Sequence, residues 1–196
     1  MEFKFSLKWS LLIIGIAGIA FSAIIVSFPA SDLSARNLSQ SISFEMQTSP
    51  GLPARLKIPK INVNTVVEYV GLTPEGAMGV PKGPAGVAWY KLGPRPGEKG
   101  SAVIAGHSGY KDKKPAVFDN LHKLVKGDKI YVEDEFGIIA TFVVREKRLY
   151  DPNVDASDVF GSSDGKAHLN LVTCEGVWDE VTKSRSKRLV VFADKE

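Results

Sequence analysis

An all-β domain, a closed barrel or sandwich with short helices, preceded by one N-terminal transmembrane helix, is the architecture this sequence predicts. Three observations carry it. Beyond residue 53 the apolar residues fall into eight short runs rather than helical stripes. Segments rich in Gly, Pro, Asn and Asp separate those runs, as turns separate strands. Residues 9–28 carry no charge and are rich in Leu, Ile, Ala, Gly and Phe, about the length a helix needs to cross a bilayer core.

The N-terminal elements follow from charge and length. Lys4 and Lys8 precede the apolar run and Trp9 marks its edge, so the positive-inside tendency places residues 1–8 in the cytoplasm and the rest of the chain outside. The run is longer than an ordinary signal-peptide core, which favours an uncleaved single-pass anchor at 9–28 over a signal cleaved near Ser31. Residues 29–53, rich in Ser, Ala, Asn, Gln and Pro, cannot bury enough surface to fold alone and read as an extracytoplasmic linker. The remaining 54–196, about 140 residues, suffice for one domain with a core, held near the membrane by the tether.

Within that domain the predicted strands are 54–58, 63–70, 87–89, 101–105, 129–132, 138–149, 168–173 and 188–193. Lys126-Gly127-Asp128 is a turn signal into the fifth strand, and 133–137 reads as a hairpin loop before the long sixth. Residues 116–126 are the best place for a short helix. The acidic run Glu133, Asp134, Glu135 is expected to be solvated, and no metal or other cofactor is expected.

Charge and cysteine content narrow the function classes. Twenty-five basic against 22 acidic residues is too balanced for nucleic-acid binding. The basic clusters Lys111, Lys113, Lys114 and Lys183, Arg185, Lys187, Arg188 read as a loop and a strand end. One cysteine excludes an intramolecular disulfide and a cysteine-based zinc cluster, and the three histidines lack metal-ligand spacing. A lone thiol in an exported domain is a hazard unless it has a task.

Cys174 ends the alternating run Leu169-Asn170-Leu171-Val172-Thr173 and precedes Glu175-Gly176, so a core strand is expected to deliver it to a loop. Taken alone, a packed structural thiol is the commoner case. His107 lies at the end of Ser101-Ala102-Val103-Ile104-Ala105-Gly106, with a second glycine at 109, a setting that displays an imidazole for acid and base work. His122, in the expected helix, and His168, at a strand start, read as solvated or structural. Arg188 opens a strand suited to pair with the cysteine strand, where a guanidinium would favour thiolate and offer donors to an oxyanion. Arg185 or Lys187 are the alternative cations.

Ala105-Gly106-His107, Leu171-Val172-Thr173-Cys174 and Arg188-Leu189-Val190-Val191 resemble, in order, the His, Thr-Cys and Arg motifs of the sortases. The likeness extends over roughly 53–193. It implies a closed eight-stranded β-barrel with a Cys174, His107 and Arg188 site at one end. It implies too that Thr173 helps to position substrate, and that the activity is cleavage of Leu-Pro-x-Thr-Gly-like sorting signals. A thioacyl enzyme would then pass the protein to an amine acceptor, a cell-wall precursor or a pilin lysine. Glu175, Trp178 and Tyr110 flank the motifs as groove-lining candidates. The segment 175–187 is expected to be a short loop without an extra helix. Two other readings of the same residues stand beside this one: a noncatalytic barrel that binds peptide or wall polymer, and a thiol peptidase with water as acceptor.

Overall fold

The computed structural model describes residues 49–109, 115–180 and 184–196. The expected cytoplasmic terminus, the anchor at 9–28 and most of the linker lie outside the described residues, as do the lysines at 111, 113, 114 and 183. Among the described residues no helix is long and apolar enough to cross a membrane.

All eight expected strands form: β1 (Pro53–Ile58), β2 (Val63–Val70), β3 (Val87–Tyr90), β4 (Gly100–Gly106), β5 (Lys129–Asp134), β6 (Ile139–Tyr150), β7 (Ala167–Asp179) and β8 (Ser184–Lys195). They close a barrel in the order β1-β2-β3-β4-β7-β8-β6-β5. The β2–β3 and β4–β7 pairs are parallel and the others antiparallel. Parallel neighbours cannot be joined by a hairpin, so 71–86 and 151–166 cross over the outside of the barrel to return the chain. The strand directions define two ends. At the entry end lie the start of β1, the β3–β4 connection, the β5–β6 hairpin and the C-terminus. At the far end lie residues 107–109 and 115–128, the end of β7 and the start of β8.

Alternation along the strands sorts two apolar clusters. Leu56 and Ile58 of β1, Ala102 and Ile104 of β4, Leu169 and Leu171 of β7, and Leu189 and Val191 of β8 point inward to the main core. Their neighbours Val103, Ala105, Val172, Val190 and Phe192 point outward. They are buried a second time, beneath Met78 of the first crossover and Ala156 and Val159 of the second. The outer face of β4–β7–β8 is therefore dry although it lies outside the barrel.

Three expectations are corrected. Residues 116–126 form turns and one 3-10 turn, Leu121–Lys123, not an α-helix. The Asp119 carboxylate accepts from the Gly109 and Ala116 amides, at 2.7 and 2.9 Å, and so diverts this backbone into a turn. Phe118, Leu121 and Leu124, spaced by three, suit the tighter winding and plug the far end. Within 175–187, residues 175–179 extend β7 and 184–187 extend β8, paired at Trp178↔Arg185 and Asp179↔Ser184 beyond a bulge, strand in place of the expected loop.

Third, the acidic run is built into the fold rather than solvated. Asp134 is buried and accepts from the Phe136 and Ile138 amides, each at 2.9 Å, and from Gly51 at 3.0 Å. Glu133 pairs with Lys57 at 2.6 Å, and Glu135 accepts from the Leu52 amide. The last residues of the expected linker, 50–53, thus belong to the barrel.

Asp134→Ala should lower stability by about 2 kcal/mol, the cost of leaving buried donors unmet. Desolvation raises the Asp134 pKa, but the three amides outweigh it and the carboxyl sits below its ordinary value. A depressed folded pKa means the stabilisation is complete above the unfolded value, near 4, and is lost as pH falls through the lower folded one. Urea midpoints against pH should therefore drop more steeply in acid for the native chain than for the variant.

Candidate active site

Three neighbouring strands bring the expected residues together. Cys174 stands directly opposite Arg188 across the antiparallel β7–β8 ladder. On the other side of β7, β4 runs parallel with Ala105 beside Val172, and two residues further along each strand are His107 and Cys174. Both steps are even, so Val103, Ala105 and His107, Val172 and Cys174, and Arg188 and Val190 share the outer face. The second apolar cluster forms its floor.

Side-chain bonds lock this level of the barrel. Thr173 Oγ1 donates to the Gly106 carbonyl at 2.8 Å, and Ser108 Oγ donates to the Cys174 carbonyl, stitching β7 to the segment that carries His107. Gly106 is required by a close approach: a Cβ there would fall 2.5 Å from the Phe118 ring and 2.8 Å from Val117. Gly106→Ala should cost about 1–3 kcal/mol by overpacking and displace His107, seen as a lower Tm together with lost turnover. At Gly109 a positive φ of 59° and contact with the Arg185 guanidinium leave no place for a side chain.

His107 is only 6% exposed, and its Nε2 lies 2.8 Å from the Pro81 carbonyl of the first crossover. A carbonyl can only accept, so Nε2 carries a proton directed at Pro81. Arg188 is 2% exposed; its Nη1 donates to the Arg185 and Lys187 carbonyls at 2.8 and 3.0 Å and its Nη2 to Ser184 Oγ at 2.9 Å. The guanidinium is thus held in one pose by the hairpin. Arg185 is half-buried and donates to the Gly176 carbonyl at 2.8 Å.

Cys174 is fully buried. Burial pushes its thiol up, and Arg188 and then Arg185 pull it back without cancelling the rise. Cys174 therefore rests as a thiol rather than a thiolate.

Thr173, expected to help position substrate, is fully buried on the inward face, its hydroxyl donating to the Gly106 carbonyl. His168 is away from the site, clamped between Asp194 at 2.8 Å and Asp164 at 2.9 Å. His122 is exposed on the far-end plug, its carbonyl accepting from Lys147. Glu175 and Trp178 lie on the hairpin beside the site, and Tyr110 is outside the described residues. A cavity of about 640 Å³ around His168 and Asn170 opens nearer the entry end and does not include Cys174. Sequence reasoning missed Ser108 and the Pro81 carbonyl. Ser108, adjoining His107, could have been suspected, whereas nothing local to Pro81 marks its carbonyl. Among the described residues no three His, Cys, Asp or Glu side chains converge as a metal set.

Residues 56–196 match a family model described as Sortase domain. No curated protein matches the chain. Solved structures with a similar fold include sortase C-1 from Actinomyces oris, 24% identical, covering 81% of each chain with a TM-score of 0.56. A lid mutant of sortase A from Corynebacterium diphtheriae is 23% identical over 86% of this chain and 84% of that one, TM-score 0.57. A sortase D5 transpeptidase from Clostridium perfringens is 23% identical over 81% and 88%, TM-score 0.55. At these identities the likeness speaks for the barrel, and differently lettered sortases match it equally well.

Proposed function

Because the chain belongs to the sortase family of cysteine transpeptidases, we propose that it cleaves a Leu-Pro-x-Thr-Gly-like sorting signal through a thioacyl intermediate on Cys174. It then joins the protein to an amine, a cell-wall precursor or a pilin lysine, at the outer surface of the membrane that the 9–28 segment anchors. The supporting observation is the single outward face on which Cys174, Arg188 and His107 stand at one level of three adjacent strands.

The chemistry follows from that placement. The Cys174 proton passes to His107 as sulfur attacks the threonine carbonyl carbon, and the developing oxyanion is met by the Arg188 guanidinium. The carbon–nitrogen bond then breaks, His107 returns the proton to the departing glycine amine, and a thioester remains. An incoming amine gives its proton to His107 as its nitrogen attacks, the carbon–sulfur bond breaks, and His107 passes that proton to the departing sulfur, restoring the thiol. Thr173 and Ser108 act as positioning residues, holding the His107 segment against β7.

His107→Ala should lower turnover by about 10²–10⁴-fold, measured as peptide cleavage, with little change in peptide affinity. The raised thiol gives a second expectation. Iodoacetamide should alkylate Cys174 slowly at neutral pH, and the rate should still climb as pH passes the ordinary thiol value, without a plateau below it.

Full burial of Cys174 favours a second reading, a noncatalytic barrel that binds peptide or wall polymer around a structural thiol. Incubation with labelled signal peptides and an amine separates the readings. A Cys174-linked acyl mass that amine discharges supports transpeptidation, and binding without any adduct across varied signals supports the second reading. Cleavage that amine cannot divert identifies a thiol peptidase.

A further inference from the structure

The entry end of the barrel carries an apolar surface that catalysis does not use. The β5–β6 hairpin exposes Phe136, Ile138 and Ile139, at 75%, 66% and 51% of their surface, three large apolar side chains within four residues. Leu92 of the β3–β4 connection and Leu72, just past β2, are exposed at the same end, at 63% and 50%. The other prominent exposed set, Val177, Trp178 and Leu149, borders the catalytic end, where a peptide substrate accounts for it. Large exposed apolar groups gathered at one end of a barrel mark a contact surface.

The chain enters the barrel within this surface. The Gly51 amide donates to Asp134, and a Cβ on Gly51 would fall 2.8 Å from the Phe136 ring. On the other side, Arg95 donates to the Pro50 carbonyl at 2.9 Å, and Pro50 packs beside Gly97 of the β3–β4 connection. The uncharged run 9–28 lies upstream of this entry point, separated from it by about twenty residues. Exposed Lys91, Lys99, Lys166 and Lys195 lie at the same end. Carboxylates stand among them: Glu98 accepts from the Arg95 amide, Glu135 from Leu52 and Glu196 from Lys129, and Glu75 is exposed near Leu72. Apolar tips beside the point where the chain arrives from the 9–28 run match a lipid interface, and the lysines among them suit its headgroups.

We propose that the entry end is a lipid-docking surface, with Phe136, Ile138 and Ile139 inserted at the headgroup boundary. This rests on the anchored reading of residues 9–28. It sets the geometry of catalysis: Cys174 lies at the opposite end, seven residues along β7 from Ala167, roughly 20 Å above the lipid at strand rise. The catalytic face then points to substrates and acceptors that project from the membrane rather than to its surface.

The full chain, with Cys174→Ser so that one introduced cysteine carries a nitroxide, is reconstituted in vesicles of phosphatidylcholine with a minority of phosphatidylglycerol. The label is placed at Ile138→Cys or, at the far end, at Lys60→Cys. The expected result is an oxygen-to-nickel-chelate accessibility ratio severalfold higher at 138 than at 60, lost when Phe136→Glu is added. Equal ratios in a chain that resists alkaline carbonate extraction overturn docking and leave the anchor standing. Release by carbonate overturns both. A label at 138 shielded from both quenchers and broadened by a second spin identifies a partner copy instead of lipid, and overturns the proposal.

Discussion

Cys174→Ala is expected to abolish the acyl adduct and to lower signal-peptide cleavage by about 10⁴-fold or more, as loss of a covalent nucleophile does elsewhere. Full burial makes the complementary measurement necessary. The thiol packs with Val172, Val190 and Met78, so its removal should also cost about 1 kcal/mol of stability. A chain that melts only slightly lower, keeps its peptide affinity and makes no adduct identifies a nucleophile. If Cys174→Ala instead keeps its turnover, the thioacyl mechanism is wrong and the thiol is structural.

The second large effect is at Arg188. Removing a donor to a developing oxyanion typically costs about 10²–10³-fold in kcat. Arg188→Gln should show a loss of that size and, because the guanidinium pulls the thiol pKa down, should push iodoacetamide reactivity to still higher pH. Arg188→Lys retains the charge but not the planar fork, so it should keep the native alkylation profile while kcat stays low. Both variants lose hydrogen bonds to Arg185, Lys187 and Ser184, so both should loosen the hairpin. That structural cost is common to the two, and the alkylation profile separates it from the electrostatic one. Arg185→Ala is the control: if turnover collapses there and survives in Arg188→Lys, Arg185 is the working cation.

Much of the fold was legible because each strand carries its own signal. Leu169-Asn170-Leu171-Val172-Thr173 states by alternation which residues face inward, and Lys126-Gly127-Asp128 states where the chain turns. The residues that misled are those whose backbone partners are distant or compete locally. Asp119 recruits the Gly109 and Ala116 amides and converts an expected helix into turns. Asp134 looks solvated within an acidic run, yet it binds the Gly51 amide, 83 positions away. The hairpin beyond Cys174 was unreadable as strand because Glu175-Gly176 resembles a loop and pairs only through a bulge.

The sequence by itself determined the reactive types and their order: one cysteine after an alternating strand, a histidine between glycines, an arginine opening a strand, and an uncharged run long enough to span a bilayer. These are local properties of composition and period. Only the tertiary structure decided that β4, β7 and β8 are neighbours, that even register places His107, Cys174 and Arg188 on one face, and that Thr173 faces away. It also decided that the thiol is dry, because two crossovers required by parallel pairing cover the outer face. Register and burial depend on which strands meet, and that depends on closing the whole barrel at once.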